Sequence, residues 1–374
     1  MHDTGTSRPI RILYDASLAA NPAGTGTYVR GLYHALAASP SVELLTSSFD
    51  AHAAGGLDLA NKSSPSRLVS GLRHLAYYLR TLPLQAKRQA CDVIFCPTSL
   101  VPLKTSRPVV MTIFDLTPLR YAGTQDRLSR RYIAAMMRWG ARRSAAICTI
   151  SRAVAAEIQD RLAVPSSRIV VTYPGPNPQL AQARPRPVAI PGGPFVLMVG
   201  TMEPRKNHVT VLRALADHLA RRPATPLTLV LAGSRGWGYE PVLRAIQELD
   251  LDKHIIELGA VEPDALKWLY QQAQALLFPS LYEGFGLPVL EALSQGCPVV
   301  AARIPSVEEI TGSLACLLDP TDVAGWSNAL EHAAGAQADP ARTQAGRDRA
   351  ARFSWEGCAA AAVQAIQASL AGRP

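Results

Sequence analysis

Twelve short apolar runs, each leading into a longer stretch of helical period, constrain this chain more than any other feature. In the first half the runs are IRILYDA, VELLTSS, DVIFCP, PVVMTIFD, AAICTIS and RIVVTYPG. In the second they are FVLMVGT, LTLVLAGS, IIELGA, ALLFPS, CPVVAA and ACLLDP. Apolar runs of this kind alternating with helical stretches mark βα units, whose parallel strands are buried on both faces. The predicted class is therefore α/β, and 374 residues are enough for two domains, each with its own core. Between the two sets lies PGPNPQLAQARPRPVAIPGGP, dense in proline and glycine and without strand or helix period, which reads as an interdomain linker. The expected organisation is a doubly wound domain over residues 1–180, a linker over 181–193, a second doubly wound domain over 194–352 and a terminal segment over 353–374. Ligands of such sheets bind where loops leave the carboxyl ends of the strands.

Charge narrows the partners. The formal net charge of +9 is unevenly placed: residues 1–180 hold 21 Lys+Arg against 10 Asp+Glu, and the remainder hold 17 against 19. Within the first half, residues 60–90 carry Lys62, Arg67, Arg73, Arg80, Lys87 and Arg88 with no acid. The stretch RLSRRYIAAMMRWGARR, Arg127 to Arg143, carries six arginines with no acid, interleaved with Tyr132, Met136, Met137 and Trp139. Two basic, partly aromatic helices suit an anionic surface such as a bilayer or a lipid diphosphate, although two solvated helix faces would read the same way. A nucleic-acid partner is not expected, because no helix-turn-helix, zinc-finger or aromatic sheet motif accompanies the charge. No apolar run is long enough to span a bilayer and the N-terminus is too polar for a secretory leader, so the chain is expected in the cytosol. The six cysteines include no C-x-x-C pair and read as buried reduced thiols. Histidines are scattered singly, and no zinc site is expected.

The chemistry concentrates at strand ends. LYEGFGLPVLEA, Leu281 to Ala292, places two glutamates around a Gly-Phe-Gly turn between the runs ALLFPS and CPVVAA. Pro288 fits a first helical turn and Gly296 with Pro298 ends the helix, so Glu291 lies about one turn inside it and Glu283 on the loop before it. Gly284 and Gly286 let backbone approach a ligand, and the helix N-terminus favours an anion. The pair suits a bound diphosphate with hydroxyl groups at both ends; a loop glutamate and a dipole-favoured glutamate near a helix start would give the same spacing. GTMEPRKNH, from Gly200, puts Arg205 and Lys206 at the mouth of the next helix, where cations add to N–H groups in holding phosphate oxygens. AGTGTYVRGL, after the first strand run, makes a glycine-rich turn into a helix, but its G-x-G-x4-G spacing is not the dinucleotide fingerprint.

PSLYEGFGLPVLEALSQGCPVVAA, VGTMEPRKNH, LAGSRGWG and GTGTYVRGL together resemble the retaining nucleotide-sugar glycosyltransferases of the GT-B fold, family 4 type, in their bacterial mannosyltransferase-like branch. The resemblance covers nearly the whole chain. It implies two Rossmann-like domains facing a cleft, an acceptor domain followed by a donor domain, and a C-terminal helix, from Phe353, that returns to the first. Glu283 would lie beside the transferred sugar and Glu291 would bind ribose hydroxyls. Gly284, Phe285, Gly286 and Leu287 would offer backbone to sugar or phosphate, with Gly200, Gly233 and Val261 also lining the donor. Arg205 and Lys206 would hold the diphosphate and stabilise the leaving group in place of a metal. Gly24, Thr25 and Gly26 would close over phosphates or acceptor. No cofactor is implied; the co-substrate would be a nucleoside-diphosphate sugar, GDP favoured over dTDP or UDP, and the acceptor a saccharide, lipid-linked, at an anionic membrane face.

One position departs from the pattern. Many relatives carry His-Asp after the fourth strand, whereas VMTIFDLTPL has Phe114 before Asp115. Phe114 would suit the apolar edge of a 6-deoxy sugar; otherwise Asp115 or a backbone group takes the histidine's contact. An NAD-dependent dehydrogenase, with Asp50 as its ribose acid, a nucleotide-sugar epimerase on the same fold, and a sugar-binding or scaffold protein with an inactive donor site are the rival readings.

Overall fold

Each of the twelve apolar runs forms a strand in the computed structural model, which describes residues 8–21, 23–47, 76–120, 127–190, 193–222, 227–335 and 339–371. Asp50, Lys62, Arg67 and Arg73 lie outside the described residues. The chain divides into two compact units, Met1–Gly175 with Ser354–Pro374, and Pro176–Phe353.

The first unit is built on β1 (Ile10–Tyr14), β2 (Val42–Thr46), β3 (Val93–Cys96), β4 (Val109–Ile113), β5 (Ala146–Thr149) and β6 (Ile169–Val171). All pair in parallel, in the order β2-β1-β3-β4-β5-β6. β3, β4 and β5 are buried at every residue, which is why their sequences run apolar without alternation. The helix Trp355–Ala371 belongs to this unit and packs on the helix Gly24–Ala37 and on β4, β5 and β6. Gly31 makes room for it, since a Cβ there would lie 2.4 Å from the Trp355 ring.

The basic segment over residues 60–90 is more than a solvated face where it is described. Its π-helical turn Tyr77–Thr81 buries both tyrosines. Their hydroxyls donate to a carboxylate just beyond β1: Tyr77 to Asp15 Oδ1 at 2.9 Å and Tyr78 to Asp15 Oδ2 at 2.7 Å. The Ser17 amide adds a third bond to Oδ1 at 3.0 Å, so a carboxylate only 1% exposed is fully held. In the helix Arg127–Arg143, Met137 is buried and Trp139 packs on the same core, while Arg131, Arg138, Arg142 and Arg143 are exposed.

The second unit carries β7 (Phe195–Val199), β8 (Thr228–Ala232), β9 (Ile255–Gly259), β10 (Leu276–Phe278), β11 (Val299–Ala302) and β12 (Cys316–Leu318). Its order, β12-β11-β10-β7-β8-β9, is the doubly wound arrangement that reverses direction between β7 and β10. The loops that leave β7 and β10 therefore emerge side by side.

Two expectations need correction. The proline-rich segment, read as without helical period, forms a short helix, Pro178–Gln182, capped by Asn177, and it is tied to the helix Pro263–Gln272. The Arg184 amide donates to Asp264 Oδ1 at 3.0 Å, the Arg186 amide to the Asp264 carbonyl at 3.0 Å, and Lys267 to the Ala183 carbonyl at 2.9 Å. Proline removes donors and regular period, but it leaves carbonyls and neighbouring amides to be bonded. The cysteines are all free, yet only five are buried; Cys316 is exposed because it opens the edge strand β12.

Candidate active site

The reversal between β7 and β10 is where the charged side chains gather. β7 is followed by Gly200, with φ +135°, and β8 by Gly233, where a Cβ would lie 2.0 Å from the Gly200 carbonyl oxygen. Only glycine fits either place, and the two loops can then run together, with the Met202 amide donating to the Ser234 carbonyl at 2.9 Å. The chain turns through Pro204–Lys206 into Asn207, left-handed at φ +56°. Asn207 Nδ2 reaches the carbonyls of Pro279 at 3.2 Å and Pro320 at 2.7 Å, and its Oδ1 accepts from Thr210 at 2.9 Å. This side chain fastens the turn to the loop beyond β10, and the Leu281 amide to Arg205 carbonyl bond at 2.9 Å completes the register.

Glu283 is thereby brought between two cations. Lys206 Nζ lies 2.7 Å from Oε1, and Arg205 Nη1 lies 2.7 Å from Oε2. Arg205 is further held by Glu203 Oε1 at 2.6 Å and the Tyr282 carbonyl at 2.7 Å, while the Lys206 ammonium sits 5.2 Å from the centre of the Phe278 ring. Burial alone would push the Glu283 acid up, but Lys206 and then Arg205 outweigh it and bring it down to about 2. Glu283 is therefore ionised throughout the physiological range. Next to the cluster, burial and the nearby Lys206 charge lower His208 to about 4, so its imidazole is neutral.

The second glutamate is shifted in the opposite direction. Gly284, Phe285 and Gly286 lead into the helix Leu287–Gln295, with Gly286 at φ +126°. Glu291, one turn in, is 7% exposed, and its Oε2 accepts a 2.9 Å bond from the hydroxyl of fully buried Tyr270. Burial raises this acid to about 7, with the Tyr270 bond acting against the rise. Phe285 is core: its ring meets Phe353 edge-on at 5.8 Å. Leu287 and Val261 are half-buried, Val261 on the loop beyond β9.

In the first unit, Gly24, Thr25 and Gly26 are not a flexible turn; they form the opening of the helix Gly24–Ala37. Asn21 Oδ1 accepts from the Ala23 amide at 2.8 Å, Arg30 Nη1 bonds the Asn21 carbonyl at 3.1 Å, and a Cβ on Gly26 would sit 1.8 Å from that same oxygen. Phe114 meets the Tyr28 ring edge-on at 5.0 Å, and Asp115 Oδ1 accepts from the Thr117 amide at 2.9 Å, capping a short helix. Sequence reading missed Asp15, Glu203, Asn207 and Tyr270. Glu203 stood inside a motif already singled out, whereas Tyr270 sits mid-helix in WLYQQ with no spacing to mark it.

A family profile described as "Glycosyl transferases group 1" matches residues 182–346, and one described as "Glycosyltransferase Family 4" matches residues 22–180. The chain belongs to the glycosyltransferases. This glycosyltransferase is 36% identical over 176 residues to the O-antigen chain mannosyltransferase B of Escherichia coli, covering 46% of this chain and 45% of that protein. It is 24% identical over 275 residues to the O-antigen chain mannosyltransferase RfbU of Salmonella typhimurium, covering 73% and 74%. The chain spans less than half the length of the first curated relatives it matches. Its GT-B fold is shared with sucrose-phosphate synthase from Thermosynechococcus elongatus, at TM-score 0.74 and 20% identity over 98% of this chain and 100% of the other. Anabaena HepE in complex with UDP and glucose gives 0.66 and 16% over 96% and 99%.

Proposed function

We propose that this glycosyltransferase moves a sugar, mannose or a 6-deoxy sugar, from a nucleoside diphosphate to a saccharide acceptor with retention of anomeric configuration and without a metal ion. The observation that carries the reading is the cluster of Lys206, Arg205 and Glu283 at the sheet reversal of the second unit, beside a helix N-terminus. Breaking the anomeric C–O bond leaves positive charge on the sugar and negative charge on the diphosphate. Two half-buried cations fixed in advance stabilise that charge without reorganising. Glu283 pairs with both cations; a diphosphate bound there would take a share of them and free the carboxylate to accept sugar hydroxyls. No side chain is assigned as nucleophile; attack is from the front face, the acceptor oxygen forming the new C–O bond as the anomeric C–O bond to phosphate breaks, while its proton passes to the departing phosphate oxygen.

Mannose, and an acceptor in cell-surface polysaccharide assembly, are favoured by the O-antigen chain mannosyltransferases among the relatives; a GDP donor and a lipid-linked acceptor are carried over from the family resemblance of the sequence. Among the described residues no helix is long and apolar enough to cross a membrane. The exposed arginines of the helix Arg127–Arg143 support peripheral binding to an anionic inner membrane face. The test is transfer by the purified chain from GDP-mannose, GDP- and dTDP-6-deoxy sugars and UDP-glucose in EDTA, with the product anomer read by NMR. Retained configuration in EDTA supports the reading; inversion, or transfer restored only by added Mg2+, overturns it.

A further inference from the structure

Among the described residues Glu291 has a partner on one carboxylate oxygen only, Oε2, bonded by Tyr270. Oε1 has none, and it is not sealed among the buried, unpartnered polar atoms of the unit. A buried carboxyl with one oxygen clamped and the other open is arranged to accept from something that arrives. We propose that Tyr270 is a positioning residue for donor binding: its hydroxyl fixes Oε2 of Glu291 and thereby leaves Oε1 as the acceptor for the ribose of a nucleoside diphosphate. This rests on the donor-site reading above and assigns a second residue to it.

The geometry isolates the pair. Tyr270 is 0% exposed, on the helix Pro263–Gln272, and its hydroxyl bonds no other group. The other charged groups of that helix are engaged elsewhere, the Asp264 carboxylate with the Arg184 amide and Lys267 with the Ala183 carbonyl. On Glu291's own helix, Ser294 bonds the Glu291 carbonyl and not its carboxylate. Cys297, just past that helix, lies near the Tyr270 hydroxyl, with its thiol pushed up to about 12 by burial.

The flanking helices contribute no counter-charge to Glu291. On Pro340–Ala350, Arg349 bonds the carbonyls of Ile310 and Glu309, Arg342 bonds that of Leu314, Asp348 accepts from Gln344 and Arg347 lies against Gly296. On Pro305–Thr311, Glu308 pairs with Arg303 at 3.6 Å, and Glu309 has a further partner of its own. β10 and β11 bring no titratable side chain. Among the described residues Tyr270 is thus the one polar side chain that bonds the carboxylate, and the direction of its effect, favouring the ionised acid, is the state that ribose hydroxyls require.

The test is calorimetric affinity for GDP, UDP, dTDP and ADP, followed for the tightest of them from pH 5.5 to 9 in the full chain, Tyr270→Phe and Glu291→Gln. Comparing variants at equal pH cancels the ligand's own protonation. Loss of the phenol should weaken binding about tenfold at pH 7 and below, the size of one hydrogen bond to a charged group, and the deficit should shrink to under about twofold by pH 9, where Glu291 ionises without help. Added to Glu291→Gln, Tyr270→Phe should cost nothing more. A deficit equal at every pH would make Tyr270 a packing residue, and no deficit would remove its role. Unchanged affinity in Glu291→Gln would instead overturn the ribose reading, and a protein that binds none of the four would overturn the donor site itself; either result ends this inference too.

Discussion

Replacing Glu283 by glutamine keeps the shape of the side chain and removes the charge that balances Arg205 and Lys206. The fall of this acid from 4.5 to about 2 corresponds to about 3 kcal/mol of interaction between the carboxylate and its surroundings. The side chains are 10%, 15% and 14% exposed for Glu283, Arg205 and Lys206, so water screens the cluster little and the figure needs only a small discount. A unit the size of Pro176–Phe353 should lose about 6 to 12 °C in melting temperature for that energy. The sign with pH follows from the depressed value. The stabilisation is fully present above the unfolded-state value near 4.5 and is lost as pH falls towards 2. Scanning calorimetry of the full chain and of Glu283→Gln should therefore show a constant gap from pH 8 to about 5 that narrows below 4.5. Saturating GDP should also narrow it, because the diphosphate supplies the missing negative charge. Turnover should fall by about two orders of magnitude or more, the scale of losing one preorganised charge at a reacting centre. Equal melting temperatures at pH 7, or a gap unchanged down to pH 3, would refute the cluster as the source of the stability.

Glu291→Gln should have the opposite sign: an acid raised to about 7 costs stability as pH rises from 4.5 to 7, so the variant should be more stable than the parent at pH 8, by about 3 kcal/mol, and match it only at about pH 4 and below. Gly233→Ala, which sets a methyl 2.0 Å from the Gly200 carbonyl oxygen, should cost about 1 to 3 kcal/mol and lower nucleoside-diphosphate affinity at least about tenfold by moving the turn that carries Arg205 and Lys206; calorimetry reads both. Asp15→Asn should destabilise the first unit by about 1.5 to 3 kcal/mol through its bonds to Tyr77 and Tyr78, seen as a lower urea midpoint with GDP affinity intact.

The strands were legible because parallel strands covered on both faces read as unbroken apolar runs, as β3, β4 and β5 show. The loop positions of Glu283, Arg205 and Lys206 were legible from the glycines and prolines around them. Their pairing was not. Lys206 and Glu283 are 77 residues apart, and only the sheet order, which sets β7 beside β10, makes them neighbours. The same holds for Asp15 with Tyr77 and Tyr78, and for Glu291 with Tyr270, where one partner lies on a helix whose pattern carries no chemical mark. The proline-rich segment misled for a different reason: its order comes from single bonds to Asp264 and Lys267, which leave no period to read.

A donor site formed by the second unit at the β7–β10 reversal is tested most directly by binding. Titrating UDP, GDP, ADP, dTDP and NAD into the full chain by calorimetry in EDTA should show selective binding of one nucleoside diphosphate, GDP favoured, that is weakened in Glu291→Gln. Binding of NAD alone, or of none of the five, would contradict it.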